Sequence, residues 1–308
     1  MIKEESRLEE GVGLQQNQPA EAPFLRIIGG HWRVLLLGLV VALLYFPVLR
    51  GLVQQWWDDA NYSHGFLVPV FCAYVLWERR RELSEVAPRP SSAGLALLLA
   101  SIAVLFLGSL GAELFLARIS LLGVIVSLLL FLHGWPMVKN LAFPLAVLLL
   151  MIPIPGVIYY QLVFPLQLLA SQLAAAALQA SHIMPVLREG NILVLPHSRL
   201  EVAEACSGIR SLMSLLTIAV IYGYLSENRK WLRWLLCLLI VPIAVLSNSA
   251  RVVFAAIGSE YIGMSAVEGT SHFLSGIFLF LVAIMLLIGC HGLLRRLMRL
   301  VAGREEAK

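Results

Sequence analysis

The stretch Trp234-Leu235-Leu236-Cys237-Leu238-Leu239-Ile240-Val241-Pro242-Ile243-Ala244-Val245-Leu246-Ser247-Asn248-Ser249-Ala250-Arg251 decides the fold class. Arg229, Lys230 and Arg233 flank its apolar run on one side, and Asn248 and Arg251 close it on the other. An apolar run of about 17–25 residues is long enough to cross the hydrocarbon core of a bilayer as a helix. Runs of this kind recur at 34–53, 94–112, 116–133, 138–154, 207–225, 231–248 and 272–292, and a shorter one at 64–78 ends in Trp77. The expectation is an all-α integral membrane protein with about eight transmembrane helices.

Composition agrees. Of 308 residues, 59% are hydrophobic and only 14% charged, and the mean hydropathy is +0.84. Soluble domains run near half apolar and a quarter charged. The net charge of +4 is accounted for by Lys and Arg flanking the spans, so no nucleic-acid partner is implied. The four Cys show no metal-ligand spacing, and no metal or organic cofactor is expected. Cys72, Cys237 and Cys290 fall within apolar runs and read as small core hydrophobes. Residues 1–25, rich in Glu, Gln and Pro, read as a disordered cytoplasmic tail. Residues 26–295 read as one polytopic membrane domain, and 296–308 as a basic cytoplasmic tail.

Orientation follows the basic loops. Arg79, Arg80, Arg81 and Arg89 form one cluster, Arg229, Lys230 and Arg233 a second, and Arg295, Arg296, Arg299 and Arg304 a third. Placing all three in the cytoplasm also puts Lys139 inside, and Asp58 and Asp59 outside with Trp56, Trp57 and Tyr62. Residues 157–180 do not fit the alternation. Pro153, Pro155 and Pro165 punctuate this region and Gln161, Gln167, Gln172 and Gln179 recur along it, which predicts an interfacial or re-entrant helix. Beyond it, Ile192–Leu195 and Leu200–Val202 surround Pro196-His197 and predict a short β-like hairpin. Residues 155–205 are therefore expected to form a small extracytoplasmic cap leading into Cys206.

On this topology Cys206, Arg251 and His272 reach the same outer face, one at the start of a span, one just past the end of the next, and one at the start of the last. His64 arrives there on the second span. A thiol is mostly protonated near neutral pH, and a helix N-terminus, an Arg and a His each favour its thiolate. Ser207 and Gly208 allow backbone amides at the helix start to face a developing oxyanion. Arg251 can hold that oxyanion or the substrate carbonyl, and His272 can carry the proton from the thiol to a leaving amine. Singly, each residue has an ordinary explanation as packing, snorkelling anchor or interfacial cap. Glu204 and Glu201 can orient a cation or sit in the headgroup zone. His133, His182, His197 and His291 read as structural.

Glu204-Ala205-Cys206-Ser207-Gly208-Ile209-Arg210, followed by Asn248-x-x-Arg251 and then His272, resembles the exosortase/archaeosortase family of membrane transpeptidases. Asn61-Tyr62-Ser63-His64-Gly65-Phe66-Leu67-Val68-Pro69 resembles the exosortase branch in particular, as does His in the third position where archaeal relatives have Arg. The resemblance implies a cysteine peptidase/transpeptidase of the bacterial inner membrane, active on its periplasmic side. Its partners would be exported proteins with a C-terminal sorting signal: a Pro-Glu-Pro-like motif, a transmembrane helix and a basic tail. It implies Cys206 as nucleophile, His272 as general acid/base and Arg251 at the oxyanion or the substrate. The acceptor, lipid or glycan, is left open, as is the choice of base between His272 and His64. Arg210 and Arg251 are both candidates to meet a substrate glutamate. Rival classes are a transporter, a membrane acyl- or glycosyltransferase, and a non-catalytic subunit of an exopolysaccharide export system. Charges at span ends and the lack of paired halves speak against the transporter.

Overall fold

In the computed structural model residue 32 and residues 36–202, 209–263 and 269–305 are described, with side chains described outside 209–210, 269–273 and 301–305. The expected tail at 1–25 lies outside the described residues. The chain divides into two compact units, Met1–Pro47 and Val48–Lys308. Helix α1, Leu36–Leu44, is the main described element of the first. The second unit holds the rest of helix α2, Phe46–Asp58, and every element that follows.

Five helices are long and apolar enough to cross a membrane, and counting α1 and α2 as one broken span adds a sixth. The shortfall from eight lies in two places. The run at 64–78 opens with a 3-10 turn, Ser63–Phe66, leaving helix α3, Leu67–Glu78, only 12 residues long. At about 1.5 Å per residue such a helix falls well short of a roughly 30 Å core. Arg80–Ser84 follows as a short α4. The run at 138–154 is split into α7, Trp135–Asn140, α8, Ala142–Val147, and a 3-10 turn, Leu148–Met151. Pro136 opens α7, and Pro144 within α8 has no N–H to continue a ladder across the break at Leu141.

Between these lie α5, Ala93–Leu110, and α6, Leu114–Leu132. Lipid is as apolar as Leu, so helices in it associate through close packing rather than the hydrophobic effect. Small residues supply that closeness here. A Cβ added at Gly94 would lie 2.4 Å from the Phe131 backbone nitrogen, and one at Gly108 2.6 Å from that of Ala117. The opposite face of α6, with Phe115, Ile119 and Leu122, packs on a cluster made by Leu52, Trp56, Tyr62, Val68, Phe71 and Met151.

Helix α9, Gly156–Ser181, departs from the sequence expectation. It is one continuous helix of 26 residues that passes through Pro165 and is long and apolar enough to cross. Its buried residues Val163, Gln167, Ala170, Ser171, Ala174 and Leu178 recur at helical spacing, so Gln167 and Ser171 lie on the packed stripe while Gln161, Gln172 and Gln179 are exposed. Ser171 Oγ donates to Gly190 O at 2.9 Å, and Gln179 Nε2 donates to Val186 O at 3.1 Å. The expected hairpin is present and gains a third strand. β1, Leu187–Glu189, β2, Ile192–Val194, and β3, Arg199–Glu201, form one antiparallel sheet in that order. Gly190, at φ +65°, makes the first turn in the left-handed region that glycine enters without strain. Leu193, Leu195 and Val202 pack on α9 and on Val252 and Ala256 of the long helix α11, Lys230–Tyr261.

Helices α10, Ile209–Ser226, α11 and α12, Gly269–Glu305, share a core of Leu215, Ala219, Leu236, Ile240, Ala283 and Leu287. One end of this trio gathers the basic clusters. Glu227, in the α10–α11 turn, accepts from the Arg229 backbone N–H at 3.0 Å and from Arg295 Nε at 3.1 Å. His291 Nε2 lies 3.4 Å from the same carboxylate, and its Nδ1 lies 2.8 Å from Tyr222 Oη. Arg233 Nε donates to Glu227 O at 2.6 Å, and its guanidinium sits 5.0 Å from the Tyr224 ring centre. Tyr224 Oη donates to Glu78 at 3.0 Å, and Arg79 donates to Asn140 O at 3.0 Å. The loops after α3, α6 and α10 and the far half of α12 therefore share one end.

Candidate functional site

The opposite end of the same trio holds the residues of the Asn248-x-x-Arg251 motif. Positions three apart lie on one face of a helix, so Asn248 and Arg251 project together. They border a small cavity where the shared core ends. Ser211 and Leu215 of α10, Ser247, Asn248 and Arg251 of α11, and Gly276 and Phe280 of α12 line it. Asn248 is buried. Ser247 Oγ donates to Leu279 O at 3.0 Å and joins α11 to α12 beside the cavity.

Gly276 explains how the guanidinium fits. A Cβ at this position would lie 3.3 Å from Arg251 Nη2 and 3.4 Å from Cζ. The missing side chain lets the cation lie against α12, one turn beyond His272. On the other side, Ser211 stands one position past Arg210 and five past Cys206. Cys206, Glu204, Ser207 and Gly208 lie outside the described residues, as do the side chains of Arg210 and His272. The described geometry thus assembles Asn248 and Arg251 with α10, which opens three residues after Cys206 in sequence, and with α12, which carries His272.

The sheet stands at this end. Its β2–β3 turn is clasped to the end of α11 by Glu260, which accepts from the His197 backbone N–H at 3.1 Å and from Ser198 Oγ at 3.3 Å. The His197 ring Nδ1 lies 2.5 Å from the same carboxylate. The His197 side chain is 85% exposed and the Glu260 side chain 5% exposed, so the carboxylate is the fixed partner. Val252, one residue past Arg251, and Ala256 lie under the sheet. Of the cap expected over 155–205, only the sheet, 187–201, stands as a small separate piece on the α11 turn that bears Arg251; 156–181 is instead a helix long and apolar enough to cross, and 203–205 lie outside the described residues.

His64 is placed differently from the cavity-lining residues. It is buried, and its Nε2 lies 3.2 Å from Leu150 O. Trp56 Nε1 donates to the neighbouring Met151 O at 2.9 Å, and a Cβ on Gly65 would meet the Trp56 ring at 2.4 Å. The Tyr62-Ser63-His64-Gly65 segment thus forms a packed knot with the broken run at 148–151. Cys72 is buried and free, and its Sγ lies 3.4 Å from Pro144 O, as a packing role requires.

Two buried charges escaped the reading of the sequence. Glu227 sits among too many basic residues for its carboxylate to stand out. Arg118 carries a legible signal, a lone cation inside the apolar run 116–133.

The long apolar helices make this a multi-pass membrane protein. No curated protein and no solved structure matches the chain. The model of the transmembrane exosortase family matches residues 56–289, most of the chain and all of the motifs above, and the protein belongs to that family.

Proposed function

We propose that this exosortase is a cysteine peptidase/transpeptidase that cleaves C-terminal sorting signals of exported proteins. The observation that carries the reading is the Arg251 guanidinium beside Asn248, in a cavity also lined by Ser211 of α10, five residues past Cys206 in sequence, and by Gly276 of the helix that carries His272. With the basic end of the bundle in the cytoplasm, the cavity faces the periplasmic side of the inner membrane. A substrate helix lies against the bundle with its basic tail inside and its Pro-Glu-Pro-like motif at the cavity end.

His272 takes the Cys206 proton, and the thiolate sulfur attacks the scissile carbonyl carbon. Arg251 and backbone amides at the start of α10 receive the negative charge that moves onto oxygen. The carbon–nitrogen bond breaks, His272 returns the proton to the leaving amine, and a thioester remains. An acceptor amine or other nucleophile on a lipid or glycan attacks that carbonyl. The thiolate leaves, and the substrate is transferred. Water in the same position gives hydrolysis. The side chains supply the nucleophile, proton carrier and anion binder that this sequence requires.

In cells expressing a tagged substrate, Cys206→Ala is expected to abolish processing and leave uncleaved precursor. Processing at the normal rate would exclude Cys206 as nucleophile. A membrane-impermeant thiol reagent applied from the periplasmic side should label Cys206. Labelling only after the cytoplasmic face is opened would overturn the orientation.

A further inference from the structure

Arg118 lies in the first turns of α6, and only 4% of its surface is exposed. A guanidinium does not give up its proton, so burial there means burial of a charge. Such a charge is costly in a membrane helix unless an anion meets it. Three and four residues to either side are Phe115 and Leu122, both on the α6 face that packs on the Trp56–Tyr62–Met151 cluster. Arg118 therefore points toward that cluster, whose one hydroxyl-bearing core residue is Tyr62.

Tyr62 carries no formal charge as a phenol and does not neutralise a guanidinium. Among the described residues, every ion pair belongs to another group: Glu82, Glu227 and Glu260 serve Arg79, His291, Arg295 and His197. The nearest acid along the helix, Glu113, is engaged at the N-cap with the Phe115 backbone N–H. Asp59 accepts from the Asn61 backbone N–H at 2.8 Å. The compensating anion is therefore not among the described carboxylates.

The position of Arg118 is informative. The far end of α6 leads into α7, whose Asn140 is bound by Arg79 at the basic end of the bundle. Arg118 is thus at the cavity end, with Tyr62 and His64. Helix α10 runs between the two regions, its Val220, Ile221 and Tyr224 against the Trp56–Tyr62 cluster and its Ser211 and Leu215 in the Arg251 cavity.

We propose that Arg118, on the α6 face that packs on the Trp56–Tyr62 cluster, is a specificity subsite that receives the carboxylate of an acidic substrate side chain. This rests on the sorting-signal reading above and assigns the recognition of its glutamate to Arg118 rather than Arg210 or Arg251. A guanidinium offers a planar fork of donors that matches a carboxylate in two-point contact.

The test measures capture rather than cleavage. Full-length Cys206→Ala protein in nanodiscs is titrated with two synthetic peptides, each a transmembrane helix with a basic tail. One carries the Pro-Glu-Pro motif and the other has glutamine in place of the glutamate. The unaltered Arg118 site should prefer the glutamate peptide by roughly tenfold to a hundredfold, the range for a hydrogen bond to a charged group. Arg118→Gln should erase that preference and leave binding of the glutamine peptide unchanged. Arg118→Lys, which keeps the charge and loses the fork, should keep part of it and guards against misfolding of the first variant. Equal capture of both peptides by the unaltered site, or an equal loss for both in Arg118→Gln, would overturn the proposal. Selective capture without any cleavage by the Cys206-containing protein would sink the transpeptidase reading and leave Arg118 as an anion site.

Discussion

The two ends of the α10–α11–α12 trio solve opposite problems with similar residues. At the basic end the Glu227 carboxylate is buried and accepts from Arg229, Arg295 and His291, and the Arg233 and Arg295 guanidinium groups also bind backbone oxygens. The polar groups there hold the ends of the helices together. At the other end the core stops short, a glycine replaces a side chain, and Arg251 borders open space beside Asn248. A cation surrounded by carbonyls and a carboxylate has no capacity left for a ligand. A cation placed against a glycine at the rim of a cavity can still meet one. Arginine thus fastens helices at one end of the trio and lines a cavity at the other, within α11 rather than at its end, and only the neighbours distinguish the two settings.

The sharpest break between the ends should come from Arg251→Gln. Substrate processing is expected to fall by about two to three orders of magnitude, as when an oxyanion donor is removed. Thermal unfolding in detergent should change little. A large drop in melting temperature with residual processing would make Arg251 another fastener.

Glu227→Ala should do the reverse. It leaves His291 Nε2 and Arg295 without their shared acceptor and should destabilise by roughly 2–3 kcal/mol. Processing per folded molecule should be retained. The same group predicts a pH dependence. The Arg229 backbone N–H, aided by Arg295 and His291, holds the Glu227 carboxyl down at about 2 from an ordinary 4.5. Because the folded state lowers this value, the contribution is complete above about 4.5 and is lost as pH falls toward about 2. Unfolding followed across that window should steepen for the native protein and flatten for Glu227→Gln.

Gly276→Ala should act more gently. The added Cβ presses on Arg251 at 3.3 Å, and a flexible side chain can retreat by a few tenths of an ångström. Processing should fall several-fold, with a larger fall in Gly276→Val. Equal activity in all three would mean that the Arg251 position against α12 is immaterial. The smallest effect is expected for His197→Ala, because the exposed ring is lost and the backbone N–H still binds Glu260. Proteolysis of the β2–β3 turn should rise slightly while processing is maintained.

Membrane character, the motif residues and the approximate ends of α5, α6 and α10 were legible in the sequence, whereas α11 and α12 run on to Tyr261 and Glu305, well past the expected ends at 248 and 292. Apolar runs bounded by charge have few foldable alternatives in a bilayer. The runs at 64–78 and 138–154 were less legible because hydropathy registers composition and not continuity. A 3-10 turn or a break at Leu141 leaves the average unchanged. The Gln and Pro residues of 157–180 suggested an interfacial piece, yet α9 runs unbroken through Pro165, buries Gln167, and uses Ser171 and Gln179 to bind the chain around the sheet. Arg118 was visible as a charge in an apolar run, but its burial depended on which face of α6 meets the Trp56–Tyr62 cluster. The third strand was hidden because Leu187-Arg188-Glu189 has no apolar alternation.

By itself the sequence determined the class of protein, the family, and the chemical types available at Cys206, Arg251 and His272. These follow from local composition and short spacing, which a linear chain displays in full. Tertiary structure alone decided that Arg251 lies against Gly276, that Glu260 clasps the sheet to α11, and that Arg118 turns inward rather than to the interface. Those outcomes depend on which helix faces meet across long stretches of chain, and in lipid that choice is made by close packing and buried polar partners rather than by hydrophobicity.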